Sequence, residues 1–265
     1  SRYPSFIRPV ISAFDLVLTQ SDDETNRFAS LGAGNVKTVG NLKFAAPPLP
    51  ANESALAKLQ EQIGLRPVWL ASSTFSGEER IAGDIHKKLA AEQAGLLTII
   101  APRHPDRANE IEAELIAQGL QVARRSLGHI ITPGTDIYLA DTIGELGLFY
   151  RIAPVCFMGK TLCASGGQNP LEPARLNCAI LHGPDMSNFA TISEEMRIAG
   201  ACRPASDADD LCRQVGALLR DRETARMIAE AALHYANSKA EVLDRTVDAL
   251  RPLMAQKAID EADHA

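Results

Sequence analysis

The sequence predicts a doubly wound α/β fold built on a mostly parallel sheet. Three observations carry this. From residue 67 onward, strand-like and helix-like segments alternate. The strand-like segments are short unbroken apolar runs rather than alternating ones, the pattern of a parallel sheet covered by helices on both faces. No repeat of 20–50 residues competes with that reading. Alternation with right-handed crossovers then leaves the doubly wound arrangement.

The elements follow in order. Phe6 to Ala13 reads as a helix, Leu16–Thr19 as a strand, and Ser21 as the cap of a helix reaching Leu31 with acids in its first turn. Gly32 and Gly34 end it before a second strand, Val36–Val39. The proline-dense run Ala45–Pro50 is the best linker candidate. Strands are then expected at Pro67–Ala71, Leu97–Ala101, Gln121–Ala123, Asp136–Leu139, Pro154–Met158, Ala179–Leu181 and near Ala201–Arg203. Helices are expected at Ser54–Ile63, Glu78–Ala94, Arg107–Gln118, Gly144–Tyr150, Leu171–Leu176, Ser187–Ala199, Asp207–Leu219, Arg222–Ser238 and Lys239–Met254, with a frayed tail over Ala258–Ala265. Phe14, Phe44 and Phe75 read as core, and Arg124-Arg125 as a solvated strand end.

Composition narrows the function. At 265 residues, 46% hydrophobic and 23% charged, the chain is an ordinary globular protein of one large or two small domains. A net charge of −6 disfavours a nucleic-acid binder. The five cysteines form no C-x-x-C and the six histidines show no ligand spacing, so neither a metal nor a disulfide framework is expected. The longest apolar run, Leu146 to Met158, is broken by Arg151 and Pro154 and is too short for a membrane span. The opening Ser-Arg-Tyr-Pro reads like a segment entered partway.

In open α/β sheets, ligands bind beyond the carboxyl ends of the strands. After the strand at 67–71, Ser72–Glu79 offers four hydroxyls and a glycine at a strand-to-helix turn, an anion cradle or an ordinary helix cap. After 97–101, Pro102-Arg103-His104-Pro105 holds a guanidinium in a proline-stiffened loop suited to a phosphate. After 136–139, Thr142 and Glu145 have the spacing of a capping box, with Gly144 leaving room for a ligand. After 154–158 come Lys160, the glycine pair Gly166-Gly167, which reads as a mobile, close-approach backbone, and Asn169-Pro170-Leu171-Glu172. Asn169 is placed to cap a helix starting at Pro170, and Glu172 in its first turn can accept two ribose hydroxyls. There is no dinucleotide fingerprint and no Walker A sequence.

With these loops assembled, the chain resembles the 3-deoxy-D-manno-octulosonic acid (Kdo) transferases of lipopolysaccharide assembly. The matching segments are Ala33–Phe44, Pro67–Glu79, Ala101–Arg107, Asp141–Tyr150 and above all Gly166–Ala174 (G-G-Q-N-P-L-E-P-A), followed by Gly183-Pro184 and Asn188-Phe189. The resemblance implies the Rossmann-like C-terminal half of a GT-B glycosyltransferase. It implies transfer of Kdo from CMP-Kdo to a lipid A precursor at the cytoplasmic face of the inner membrane, with no cofactor. CMP contacts would fall on Pro102, Arg103, Ile143, Gly144, Glu145, Asn169, Pro170, Leu171 and Glu172. Further donor contacts would fall on Ser73, Thr74, His104, Lys160, Gly166 and Gly167. The chain departs from the family at Gln168, where His is usual, at Lys160-Thr161, where Gly-Ser is usual, and at Pro154, where Asp is usual. In the family, an acceptor domain with a membrane anchor and a catalytic glutamate precedes this region. Residues 1–46 therefore read as the end of that domain plus linker, and 47–265 as the donor-binding domain, with no catalytic residue of its own. A UDP-sugar 2-epimerase-like enzyme and a non-catalytic nucleotide-binding module are the alternatives.

Overall fold

The structure is a computed structural model that describes residues 4–262, with side chains over 6–254. Residues 1–3 and 263–265, and with them most of the opening tetrapeptide and the last part of the tail, lie outside the described residues. The chain divides into two compact units, Ser1–Pro47 with Asn237–Ala265, and Pro48–Ala236.

The first unit begins with α1 (Pro4–Ser12), β1 (Val17–Thr19), α2 (Asp22–Ser30) and β2 (Val36–Thr38), and the two strands pair in parallel. Ser21 caps α2 as its sequence suggests, accepting from the Glu24 amide at 3.3 Å, while the Glu24 carboxylate accepts from the Gln20 amide. A 3-10 turn at Leu42–Ala45 buries Phe44. A C-terminal helix over Val242–Ala262 belongs to the same unit and runs into the stretch expected to fray. The second compact unit ends at Ala236. One reason is local: a side chain at Gly40 would meet Val242 at 2.9 Å, so the turn after β2 and the start of this helix are packed together. Phe14 is 55% exposed and is not core.

The second unit contains α3 (Glu53–Ile63), β3 (Val68–Thr74), α4 (Glu78–Ala90), β4 (Leu97–Pro102), α5 (Ala108–Ala117), β5 (Val122–Arg124), β6 (Ile137–Leu139), α6 (Leu146–Ile152) and β7 (Val155–Met158). It continues through α7 (Leu171–Ala174), β8 (Ala179–His182), α8 (Ala190–Ile198), β9 (Arg203–Pro204), α9 (Ala208–Arg220) and α10 (Arg222–Ser238). The helix expected from Ser187 begins as a 3-10 turn, Ser187–Phe189. The last strand forms two residues later than expected. The second half of the linker candidate is fixed, because Arg151 donates to the Leu49 carbonyl at 2.8 Å and α6 packs at Gly147 against Pro50.

All seven strands of this unit pair in parallel, in the order β5-β6-β4-β3-β7-β8-β9. Every residue of β3, β4 and β7 is buried, which explains their unbroken apolar runs. The chain moves outward from β3 to β4 and later returns to the other side of β3 as β7. That reversal is the switch point beside which open α/β sheets bind ligands. At the opposite end of the sheet, Arg66 donates to the carbonyls of Gly95, Leu96, Thr132 and Thr135 at 2.5–3.0 Å, tying the segments that enter β4 and β6.

Candidate functional site

The site is assembled from the loops that leave the C-terminal ends of β3, β4, β6 and β7. In the β3 loop most polar groups already have partners. The Ser72 and Tyr150 hydroxyls are 2.7 Å apart, and the Thr74 hydroxyl donates to Glu79 at 3.0 Å. Glu79 is fully buried and also meets Arg107 at 3.2 Å. Burial raises its carboxyl above the ordinary value, against the opposing pull of its own amide, Arg107 and Thr74. Ser73 takes a left-handed φ of 53°, a strained conformation for a residue with a side chain. Hydroxyls at 72 and 74 thus hold the loop together rather than lining an open cradle.

The β4 loop keeps its cation free. Pro102 is the buried last residue of the strand, and the Arg103 amide donates to the Thr74 carbonyl at 3.0 Å. The Arg103 side chain is exposed and, among the described residues, makes no close ion pair. His104 packs edge-on against Phe75, ring centroids 5.3 Å apart, and the Lys160 ammonium lies 5.3 Å from the centroid of the same ring. Phe75 is therefore half-buried between two basic side chains from different loops, not a core residue.

The β6 loop differs from expectation in its charges. Thr142 and Glu145 do not form a capping box, because the Thr142 hydroxyl donates to the Glu145 carboxylate and α6 starts only at Leu146. Glu145 is instead gripped by Arg125 through two bonds of 2.6 and 3.0 Å. These bonds hold its carboxyl below the ordinary value although burial opposes them. Arg124 donates to Asp141 at 2.9 Å and to Glu112 at 3.0 Å. Asp141 also accepts from the Ser126 hydroxyl and amide, and these partners outweigh burial to lower its carboxyl. The arginine pair is thus an ion-pair hub, not a solvated strand end. Beyond it, Ile143 is 88% exposed, and Gly144 sits at φ +83° with open space around it. A cavity of about 450 Å³ adjoins Glu145, lined also by Lys58, Gln62, Arg125, His129 and Tyr138.

The β7 loop carries the glycine-pair motif. Lys160 takes a left-handed φ of 64°, the conformation that suits the glycine usual there. Gly166 and Gly167 are buried at positive φ, and side chains there would strike Asn188 and Met186. The pair is a packing necessity rather than a mobile element. The Asn169 side chain accepts from the Leu171 amide at 3.2 Å and so caps the short helix α7, as its position predicts. Its amide group donates to Glu172 at 3.4 Å. Burial raises the Glu172 carboxyl, while Asn169 and the positive charges of Arg103 and Arg175 pull it back. Pro170 and Leu171 are buried.

Arg103 and Glu172 are thus brought within electrostatic reach of each other, with Asn169 behind Glu172. A larger cavity of about 470 Å³ lies at the other end of β3 and β7, beside Val68 and Pro154, and contains none of these residues. Sequence reasoning missed Glu78, Glu79, Arg107 and Tyr150 as organisers of the loops. The Gly-Glu-Glu opening α4 was their signal, read only as acids at a helix start.

The crystal structure of the C-terminal CMP-Kdo binding domain of WaaA from Acinetobacter baumannii is 31% identical to this chain, with a TM-score of 0.66 over 74% of the chain and 98% of that domain. The chain belongs to the Kdo transferase family. A family model described as 3-deoxy-D-manno-octulosonic-acid transferase (kdotransferase) matches residues 1–46. The 3-deoxy-D-manno-octulosonic acid transferase of Haemophilus influenzae is 32% identical over 250 residues, covering 92% of this chain and 58% of that relative. The chain spans little more than half the length of the curated relatives it matches. A glycosyltransferase from Rickettsia africae shares the fold at 12% identity and a TM-score of 0.61, over 96% of this chain and 67% of that one. The doubly wound unit has the Rossmann-like fold of the C-terminal domains of GT-B glycosyltransferases. Among the described residues, no helix is long and apolar enough to cross a membrane.

Proposed function

We infer that this chain binds CMP-Kdo for a transferase that places Kdo on a lipid A precursor at the cytoplasmic face of the inner membrane. The observation that carries the reading is the exposed Arg103 within electrostatic reach of Glu172, on loops that leave neighbouring strands at the switch point of the sheet. Likeness to a CMP-Kdo binding domain supports it. Arg103 pairs with the donor phosphate through its planar fork. Glu172, steadied by Asn169, accepts the ribose hydroxyls. The backbone at Ile143 and Gly144 lies open to the base. Lys160, His104 and the loop at Ser73 and Thr74 flank the sugar. In transfer, the bond between the sugar's anomeric carbon and the phosphate oxygen breaks, and the acceptor hydroxyl oxygen forms the new bond. Arg103 stabilises the charge gathering on departing CMP. A carboxylate from the acceptor-binding part of the whole protein takes the hydroxyl proton.

Calorimetric titration with CMP and with UDP tests the donor assignment. The expected result is saturable CMP binding in preference to UDP. UDP preference would support an epimerase-like enzyme instead, and absence of CMP binding would overturn the reading.

A further inference from the structure

The β7 loop presents four successive backbone amides, those of Lys160, Thr161, Leu162 and Cys163, and such a concave run of N–H groups is suited to an anion. Here the anion belongs to the protein. Glu78 is 1% exposed. One carboxylate oxygen accepts from the Lys160 amide at 2.7 Å and from the Phe75 amide at 2.8 Å. The other accepts from Thr161 at 2.9 Å and Leu162 at 3.0 Å, with Cys163 at 3.5 Å. Five amides around one carboxylate neutralise it without a cationic side chain.

Two consequences follow for the cleft. Tying the Lys160 amide to Glu78 holds the left-handed bend at that residue, a strained conformation for a residue with a side chain. That bend sets the Lys160 ammonium over Phe75, whose ring also carries His104 beside Arg103. Because the amides are occupied, a ligand with two anionic groups cannot place the second one there. The remaining positive group of this loop is the Lys160 side chain.

We propose that Glu78 is a positioning residue of the donor cleft, filling the amide nest so that the Lys160 ammonium pairs with the acid group of the donor sugar. The proposal rests on the CMP-Kdo reading and adds to it a residue that selects the sugar rather than the nucleotide.

The test is the ratio of CMP-Kdo affinity to CMP affinity, measured by calorimetry on the 265-residue chain. Lys160→Gly suits the bend and is expected to lower the ratio about tenfold, the scale of one charge-assisted contact. Glu78→Gln puts an NH2 group among amide donors and is expected to lower it by the same factor, with no further loss when the two changes are combined. Amide hydrogen exchange on the parent chain reads the nest directly: the amides of 160–163 are expected to be protected without ligand and unchanged by CMP-Kdo. A parental ratio in Lys160→Gly, or in folded Glu78→Gln, would overturn the proposal. So would nest amides that exchange freely until CMP-Kdo is added, a measurement that decides the role of Glu78 even if Glu78→Gln does not fold. If the parent chain bound no CMP, the donor reading itself would fail, which the same titration distinguishes.

Discussion

The two sides of the cleft treat charge in opposite ways. Beside β5 and β6, Arg124, Arg125, Asp141 and Glu145 are locked to one another, and the side chains of Arg124 and Asp141 are 11% and 1% exposed. Beside β4, Arg103 stands exposed within the field of Glu172. All three arginines lie at the C-terminal ends of strands in the same sheet, and local sequence does not separate them. What differs is the bonding: Arg124 and Arg125 are hydrogen-bonded to carboxylates, while Arg103 makes no close ion pair among the described residues. An arginine with a buried partner is architecture, and one without is available to a ligand.

Removing one side of that contrast should have the largest effect. Arg124→Leu leaves Asp141 buried without its cation, so unfolding in denaturant should show a loss of about 3–5 kcal/mol. Arg103→Ala should leave stability within about 0.5 kcal/mol yet weaken CMP binding by roughly 1.5–3 kcal/mol. Calorimetry showing parental affinity would remove Arg103 from the site and dissolve the contrast. Glu172→Gln keeps the shape but not the charge, and should weaken CMP binding by about 1.5 kcal/mol.

Acid titration sharpens the comparison further. Asp141 and Glu145 have lowered carboxyls, so their stabilisation is complete above the ordinary carboxylate range and is lost as pH falls through and below it. Glu79 and Glu172 are raised and act with the opposite sign, weakening the fold as pH climbs above the ordinary glutamate range. Arg124→Leu should therefore flatten the acid limb of the stability curve, whereas Arg103→Ala should not. The smallest effect is Lys160→Gly on stability. Relief of the left-handed bend and the added freedom of the unfolded chain nearly cancel, so its melting temperature should stay close to the parent's.

Much of this was legible from residue order. The apolar runs at 68–71, 97–101 and 155–158 became adjacent buried parallel strands because only such runs fill a sheet covered on both faces. Asn169 before Pro170 read as a cap and is one. The loops around Arg103 and Glu172 were found because α/β sheets put ligands at one edge. The misread residues share a cause. Thr142 and Glu145 have capping-box spacing, but Arg125, twenty residues away, holds the carboxylate. At Gly166 and Gly167 the close approach expected of a glycine pair is present, but only the fold shows that its partners are Asn188 and Met186.

The sequence by itself determined which elements form and which turns leave the carboxyl ends of the strands, because burial periodicity and capping act over a few neighbouring residues. Only the tertiary structure decided which charges remain available. Glu78 reaches amides more than eighty positions further along the chain, and Arg124 and Arg125 find their carboxylates across strands. Pairing at short range in a poorly hydrated interior depends on distance in space, which no spacing along the chain encodes.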